Sequence, residues 1–385
     1  MILFSFTGSR RNYNIELSKI EAKEFLNKAF NLNLISIPNG DTLAYFWNNF
    51  QISELEKLTY KMSNKLLRSR QLENYRLGLY YLVAIDGTEL YRFTEKHCEH
   101  CLYETRNGKK QYFHRVLEAK IVTSNGLAIS VATEFIENPA DKEFDKQDCE
   151  LKAFYRLSEK IKKLFPRLKI CLLLDGLYPN ASVLKICNTH NWKYIITFKE
   201  GNLKTVWEDF NGFFENRETA IGGKIELPEI KDKETMYRWM NKIEYSEFEI
   251  NILTKYFNEK VVRAFITNLK INKDNLFKIE SHGQLRWKIE NEGFDCQKHH
   301  GYNLEHRYTK NPNGMKVVYL FIQIAHILNQ LFLKADVLKA CSDTISIKYI
   351  FSKILGGILL GWIKEFELMF KGLDNRSFQL KFNTS

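Results

Sequence analysis

Residues 80–87 read Tyr-Tyr-Leu-Val-Ala-Ile-Asp-Gly, an apolar run that stops abruptly at an acidic residue and a glycine. Residues 170–176 repeat the pattern as Ile-Cys-Leu-Leu-Leu-Asp-Gly. Continuous apolar runs of this length are typical of strands buried on both faces of a sheet. Each run therefore predicts a central strand whose last residue, Asp86 or Asp175, emerges at the edge of the sheet. Taken alone, Asp-Gly after a strand is also an ordinary turn signal.

The segments around these two runs complete a mixed α/β pattern. An Asn-Gly pair at 125–126 is typical of the tight turn of a β-hairpin. The predicted elements, in chain order, are a hairpin over 112–122 and 127–135, a helix over 147–164, a helix over 181–189 and a strand over 194–198. A central mixed sheet with flanking helices is the architecture that this order favours.

Different patterns flank and interrupt this block. Residues before Tyr80 carry helical periodicity, and Asp41 or Thr42 is placed to cap one of the helices. Between 201 and 278 apolar and polar residues partly alternate, which predicts antiparallel strands. The chain then divides into a helical N-terminal domain (1–78), an α/β core (79–200 and 279–334), a β-rich insertion (201–278) and a C-terminal helical region (335–385).

The composition favours a polyanionic partner. The chain has 385 residues with 57 Lys plus Arg against 46 Asp plus Glu, a formal net charge of +11, although solubility alone could also account for it. The seven cysteines fit a reducing compartment better than a disulfide framework. The apolar stretches 317–333 and 354–363 are interrupted or short against the roughly 20 residues of a membrane span, so we expect a soluble, cytoplasmic protein.

The two aspartates raise the question of a metal site. Carboxylates at neighbouring strand ends repel each other unless a cation lies between them. Hard oxygen ligands of this kind select Mg²⁺ or Mn²⁺. A third acid is available further along, since Arg286 and Glu290 are four residues apart on one face of a predicted helix. Without a metal, that pair would be an ordinary surface ion pair.

These residues resemble the three acidic motifs of DDE transposases from bacterial insertion sequences. The motifs here are Asp86 in Ala-Ile-Asp-Gly-Thr-Glu, Asp175 in Leu-Leu-Asp-Gly, and Glu290 in Arg-Trp-Lys-Ile-Glu. The third motif is similar to the Tyr-x2-Arg-x3-Glu-x6-Lys signature of one large group, and the resemblance covers about residues 80–333. It implies a ribonuclease H-like catalytic fold with a β-rich insertion between the second aspartate and the glutamate.

The resemblance also implies roles for these residues. Asp86, Asp175 and Glu290 would be the catalytic acids and would hold two Mg²⁺ (or Mn²⁺) ions during cleavage of a phosphodiester and transfer of the freed strand. Arg286 matches the signature arginine and would neutralise a phosphate near the scissile bond. Such chemistry requires no covalent protein intermediate.

The third motif departs from the signature at two positions. Gly283 stands at the tyrosine position, and Gln297 stands at the lysine position, with Lys298 one place further on. DNA contacts inferred for those two positions are therefore in doubt, but the acidic triad is not affected. Glu292 is the alternative third acid, and we prefer Glu290 because it keeps the Arg-x3-Glu spacing.

A second group of candidate metal ligands follows Asp86 in the sequence. It reads His97-Cys98-Glu99-His100-Cys101, and His114 comes shortly after it. Cys98 and Cys101, together with His97, His100 or His114, could supply three or four ligands for a structural Zn²⁺, and we take Cys98, Cys101 and His114 as the candidate set. The second half of a full zinc finger is missing, so redox pairing or ordinary loop cysteines remain alternatives.

Basic residues interleaved with aromatic ones mark candidate DNA contacts, although each could also be a solvated surface. Such segments occur at 109–112, 237–239 and 298–308. From these segments and the third motif we expect Arg286, Trp287, Lys298 and Trp239 to bind DNA. The N-terminal helices are the natural candidates for recognition of the element ends.

The sequence thus favours a DDE transposase that acts on double-stranded DNA, as a homodimer in the DNA complex and associated with the nucleoid when bound. One alternative of the same fold is a metal-dependent nuclease that cuts without joining. Another is a decayed or repurposed transposase that only binds DNA.

Overall fold

The structure, a computed structural model, describes residues 10–17, 20–140, 146–199, 201–215, 228–232 and 234–334, with residues 352 and 356–357. The described chain is an α/β structure whose mixed sheet has ten strands. The mixed sheet with flanking helices that the sequence predicts is therefore confirmed. The predicted C-terminal helical region, 335–385, lies almost entirely outside the described residues.

Helices precede the sheet, and their bounds are α1 (Arg10–Leu17), α2 (Ile20–Phe30), α3 (Gly40–Asn49) and α4 (Ile52–Arg68). The start of α3 differs from the prediction. The side-chain oxygen of Asn39 accepts a hydrogen bond from the backbone N–H of Thr42 at 2.8 Å, so Asn39 is the cap. The prediction that Asp41 or Thr42 caps this helix is wrong, because both already lie in its first turn.

Six strands form the first part of the sheet: β1 (Tyr81–Phe93), β2 (Leu102–Arg106), β3 (Lys109–Val122), β4 (Ala128–Ile136), β5 (Ile170–Leu174) and β6 (Lys193–Thr197). Strand β1 lies between β3, which is antiparallel to it, and β5, which is parallel to it. Strand β6 continues the parallel side, while β2 and β4 pair with β3. The two predicted central strands are therefore direct neighbours.

The second part of the sheet is antiparallel and adds to the edge of β6. Its strands are β7 (Glu229–Asp232), β8 (Thr235–Tyr245), β9 (Phe248–Phe257) and β10 (Lys260–Thr267). Strand β10 pairs with β6, and β9, β8 and β7 follow in order. The alternating sequence between 201 and 278 thus gives antiparallel strands as predicted, and they extend the central sheet.

Strand β1 is longer than predicted. The sequence indicates a strand that ends at Asp86, but β1 continues to Phe93. The reason is that β1 has two different neighbours: β5 pairs with it only as far as Ala84, whereas β3 pairs with it through Phe93. Asp86 therefore lies where the parallel pairing stops and one edge of β1 becomes free.

Helices cover both faces of the sheet. The remaining helical segments are α5 (Glu150–Leu164), α6 (Ala181–Thr189), α7 (Lys204–Glu215), α8 (Leu276–Gln284), a π-helix (Ile289–Asp295), α9 (Cys296–His299) and α10 (Pro312–Lys334). In one hydrophobic core, α5 and α6 pack against the face of the sheet that carries Val83 and Ile85. In a second hydrophobic core, α8 and the π-helix pack against the opposite face, which carries Leu82 and Ala84.

Helix α10 is long and apolar enough to cross a membrane by length and composition, but 67% of its most apolar window is buried inside the protein. Burial of this extent is typical of the core helix of a folded domain. Its buried side includes Val317, Tyr319 and Leu320.

Candidate active site

The two predicted aspartates occupy level positions on neighbouring parallel strands. The pairing of β1 with β5 sets Ala84 opposite Leu173, and Asp86 and Asp175 each come two residues later. Ala84 and Leu173 both pack in the core beneath α8 and the π-helix. Because side chains two residues apart along a strand share a face, Asp86 continues the face of Ala84. Asp175 is the first residue after β5, and its Oδ1 accepts a hydrogen bond from the backbone N–H of Leu177 at 2.8 Å.

Arg286 connects the third acid to the first. Its Nη1 atom lies 2.7 Å from Oε1 of Glu290 and 3.5 Å from Oδ2 of Asp86. Arg286 is only 6% exposed, and its Nε atom has no hydrogen-bond partner among the described residues. The guanidinium therefore brings two carboxylates together and keeps one buried donor unused.

Glu290 lies on an unusual helix. Residues Ile289–Asp295 form a π-helix where the sequence predicts an ordinary α-helix. The Arg286–Glu290 pair still forms across four residues, as the spacing predicts. Ile289 and Phe294 pack in the core, so they hold this wider turn against the sheet. Single-turn π-helices of this kind occur often at functional sites.

The environment of Asp86 opposes its ionisation. Burial raises the pKa of Asp86 to about 7, and the negative charge of Glu290 adds to the shift, while Arg286 lowers it. Glu150 contributes a further, smaller increase. A carboxyl group with these neighbours takes on its negative charge readily only when a cation balances it.

Glu150 is a fourth acid that the sequence does not single out. It is the first residue of α5, its Oε1 accepts a hydrogen bond from the Tyr178 hydroxyl at 2.7 Å, and burial raises its pKa. Asp175 raises that pKa further by its charge. A Cβ atom on Gly87 would lie 2.7 Å from Oε2 of Glu150, so this carboxylate packs directly against the residue after Asp86. Gly87 permits that approach, because it has no side chain.

Glu292, the alternative third acid, points elsewhere. Its carboxylate pairs with Lys288 Nζ at 2.9 Å and lies close to Gly126 in the turn between β3 and β4. Glu290 contacts Arg286 instead. The geometry therefore favours Glu290 over Glu292.

The two departures from the signature have structural reasons. A Cβ atom on Gly283 would lie 2.8 Å from the ring of Phe265 and 3.0 Å from Ile195, so tyrosine has no room there. Gln297 is fully buried, and its amide bonds to Gln323 and His326. Both positions belong to the core and neither offers a DNA contact.

The predicted DNA-binding side chains differ in their availability. Trp287 is 56% exposed and stacks under the guanidinium of Arg286, whose carbon lies 4.6 Å from the ring centroid. Lys298 is partly buried and pairs with Glu305 at 2.9 Å. Trp239 is only 6% exposed and packs in the core with Leu253. Stacking on a base requires an open ring face, and the buried Trp239 does not present one in this structure.

The second group of candidate metal ligands forms a compact cluster of four ligand atoms from His97, Cys98, Cys101 and His114, all within 4.8 Å of one another. The sequence-based set of Cys98, Cys101 and His114 is brought together, and His97 joins it. His100 does not, because its Nδ1 lies 3.0 Å from the carbonyl of Asn138. This His–Cys cluster could hold a metal ion.

A scan against models of protein families finds no match for this chain, and a search of curated proteins finds none either. The groups available for chemistry are the site's own residues. These are carboxylates at the carboxyl end of two parallel strands, a buried arginine between two of them and, separately, the His–Cys cluster.

Proposed function

We propose that this chain is a DDE transposase, of the type found in bacterial insertion sequences, that cuts DNA strands and joins the freed ends to target DNA. The observation that carries the proposal is the contact of Arg286 with both Asp86 and Glu290, beside the strand that ends just before Asp175. Asp86 and Asp175 have level positions on parallel strands, and Arg286 connects Asp86 to Glu290. These three motifs are far apart in the sequence. Asp86 and Glu290 both contact Arg286, and Asp175 follows the strand that pairs with β1.

The topology supports a ribonuclease H-like core. The first strand lies centrally, with antiparallel strands on one side and two parallel strands on the other. The antiparallel strands β7 to β10 come between Asp175 and Glu290 in the chain, where the resemblance expects a β-rich insertion. This arrangement is compatible with the fold that the resemblance implies.

The donor set fits hard divalent cations. Asp86, Asp175 and Glu290 would hold Mg²⁺ or Mn²⁺. Glu150 interacts with both aspartates, since its charge raises the pKa of Asp86 and the charge of Asp175 raises the pKa of Glu150. Bound Mg²⁺ would supply Lewis acidity and charge neutralisation at the reacting phosphate. The raised pKa of Asp86 fits this interpretation, because crowded carboxylates without a cation resist ionisation.

The chain's own residues would orient the DNA phosphate. In the described structure, Arg286 uses one amino group for two carboxylates and leaves Nε without a partner. Because Nε is buried, a phosphate oxygen would bond Nη2 of the guanidinium, and an arginine fork suits this task. Trp287 adds an exposed ring beside it that can stack on a base. Water would attack the phosphodiester at the element end and break its P–O3′ bond, which leaves a 3′-hydroxyl on the element and a 5′-phosphate on the flanking strand. That 3′-hydroxyl would attack a target phosphodiester, form a new ester bond and release a 3′-hydroxyl of the target strand.

The excess of positive charge suits double-stranded DNA as the partner. A net charge of +11 supports phosphate contacts that weaken as salt is added. Two element ends must be handled together in such a reaction, so we propose a homodimer in the DNA complex and a cytoplasmic, nucleoid-associated location.

The test uses a plasmid that carries the coding sequence with its flanking DNA, incubated with the full chain with and without Mg²⁺. Nicking and strand joining are scored separately. Asp175→Ala and Glu290→Ala should each reduce cleavage by more than about 100-fold, while DNA binding remains measurable. Glu150→Gln should reduce it by about 10–100-fold.

Glu292→Ala is the matched control, because Glu292 belongs to the same π-helix but pairs with Lys288. It should cleave at close to the native rate. Full activity of Asp175→Ala, or equal losses in the Glu290 and Glu292 variants, would exclude the proposed site. Nicking without joining would indicate the nuclease instead, and binding without cleavage would indicate the repurposed DNA-binding protein.

A further inference from the structure

The His–Cys cluster has the dimensions of a tetrahedral metal site. The distance between Sγ of Cys98 and Sγ of Cys101 is 3.2 Å, and Nε2 of His114 lies 3.4 Å and 3.7 Å from these two atoms. The Nε2 atoms of His97 and His114 are 3.1 Å apart. Tetrahedral Zn²⁺ with ordinary bond lengths requires ligand atoms about 3.3–3.8 Å apart. The distances given above lie within about half an ångström of that geometry, and all four ligand atoms lie within 4.8 Å of one another.

The ligand types indicate which metal fits. Two thiols and two imidazoles are soft or intermediate donors, and they favour Zn²⁺ over Mg²⁺ or Ca²⁺. Cys101 and His114 are buried, while His97 and Cys98 are half-buried. With protein ligands at all four corners, no position is open for a substrate or a reactive water, which is the pattern of a structural site.

We propose that His97, Cys98, Cys101 and His114 bind one structural Zn²⁺, separate from the acidic site. Three of the ligands come from the segment that connects β1 to β2, and the fourth comes from the middle of β3, opposite Tyr91 of β1. The bound metal therefore fixes a long connection against the sheet. This proposal does not depend on the transposase activity, because it rests on the geometry of the cluster alone.

Hydrogen bonds extend from the cluster toward the acidic site. The carbonyl of Cys101 accepts a bond from the Asn138 amide at 2.8 Å, and the side-chain oxygen of Asn138 accepts one from the backbone N–H of Asp148 at 3.1 Å. Gln147 bonds both the N–H and the carbonyl of Tyr103, at 2.7 Å and 2.8 Å. Helix α5 begins at Glu150, immediately after these residues. Zinc thus also steadies the start of the helix that carries the fourth acid.

The test measures metal directly on the full chain, purified without chelator. Elemental analysis should find about one Zn²⁺ per chain. Cys98→Ser, Cys101→Ser and His114→Ala should each lower zinc affinity at least about tenfold. Cys149→Ser and His100→Ala are matched controls that should keep the zinc, since Cys149 is exposed outside the cluster and His100 contacts a backbone carbonyl.

A second measurement avoids variants that fail to fold. Native protein is alkylated with and without prior removal of metal by a chelator, and the modified peptides are mapped by mass spectrometry. Cys98 and Cys101 should be protected with Zn²⁺ and modified after its removal, and readdition of Zn²⁺ should restore protection. Equal modification in the two states, a Cys98–Cys101 disulfide, or zinc retained by the Cys98→Ser/Cys101→Ser protein would overturn the proposal.

Discussion

Asp86 is a carboxyl group whose ionisation is costly in the folded protein. It is placed on β1 just beyond the last residue paired with β5, and its side chain is 17% exposed. Its pKa is raised from 3.8 to about 7, first by burial and then by the charge of Glu290. The folded state therefore holds a proton on Asp86 more tightly than the unfolded chain does. The stability that this proton provides is complete below about pH 4 and is lost as the pH rises through about 7.

Replacement of Asp86 by asparagine should therefore stabilise the protein at alkaline pH. Without added Mg²⁺ at pH 8, we expect the free energy of unfolding of Asp86→Asn to exceed that of the native chain by on the order of 1–3 kcal/mol. Near pH 4 the difference should disappear, because the native carboxyl is then neutral as well. Urea unfolding followed by circular dichroism at several pH values measures this difference.

The control for this prediction is Glu292→Gln, which removes a half-exposed ion pair with Lys288 and should change stability by less than about 1 kcal/mol at any pH. Added Mg²⁺ should raise the midpoint of thermal unfolding of the native chain at pH 8 more than that of Asp86→Asn. A variant less stable than the native chain at pH 8 would contradict the assignment of Asp86 to a crowded acidic site.

At the scale of residues, the sequence identifies the acids that belong to a pattern and misses the one that does not. Asp86 and Asp175 follow apolar runs, and Glu290 keeps a fixed spacing from Arg286. Glu150 has no such signal, because acidic residues are common in the first turn of any helix. Its place beside Gly87 depends on how α5 packs on the sheet, and no local pattern encodes that contact.

At the scale of elements, the π-helix packs against a buried charged side chain of β3. Lys120 is fully buried, its Nζ lies 2.5 Å from Oε1 of Gln323, and its carbons pack against Gly293. Glu118, also fully buried, lies 4.0 Å from Lys120 and accepts bonds from Thr133 and Tyr319. Burial lowers the pKa of Lys120 to about 8 and raises that of Glu118 to about 7. The charges of these two residues therefore depend on each other.

Replacing one partner of the Lys120–Glu118 pair should lower the free energy of unfolding more than replacing both partners does. We expect Lys120→Met to lower the free energy of unfolding by about 3–5 kcal/mol, because Glu118 is left buried without a cation. The double variant Lys120→Met/Glu118→Gln should lose less than the sum of the two single losses, by about 1–3 kcal/mol. Urea unfolding of the four proteins in the cycle measures this coupling.

The exposed pair of Lys57 and Glu54 provides the comparison. Lys57→Met should change stability by no more than about 0.5 kcal/mol, because water already solvates both partners. Strictly additive losses at Lys120 and Glu118 would mean that the two charges do not interact.

The elements themselves are largely predictable from the sequence, but their ends and special turns are not. Apolar runs and alternation indicate the strands, since burial on one or both faces dictates those patterns. The continuation of β1 beyond Asp86 depends on β3, a partner distant in the chain. The π-helix has hydrogen bonds from i to i+5, and the one pair of apolar residues five apart, Ile289 and Phe294, is too short a pattern to predict it.

At the scale of the whole molecule, the N-terminal helices share a core with the C-terminal end of the described chain. Trp47 of α3 is fully buried, and its ring meets Tyr308 edge-on with centroids 6.2 Å apart. The Asn313 amide donates to the carbonyls of Trp47, Asn48 and Phe50 at 2.9–3.3 Å. Amphipathic helices were evident in the sequence, but the surface they cover was not, because periodicity shows which face is buried and not what buries it.

This shared core has a consequence for the predicted domain boundary at residue 78. If α3 and α4 pack on α10 more than on each other, they should unfold together with it. Trp47→Ala should then cost about 3–5 kcal/mol and should also lower the hydrogen-exchange protection of Val317 to Ala325 in α10. Tyr45→Ala, on the same helix but 73% exposed, should have a free energy of unfolding within about 0.5 kcal/mol of that of the native chain.

A fragment that begins at residue 79 should be insoluble, since it exposes Val317 and Leu320. Two separate unfolding transitions, with α10 still protected in Trp47→Ala, would instead establish 1–78 as an independent domain.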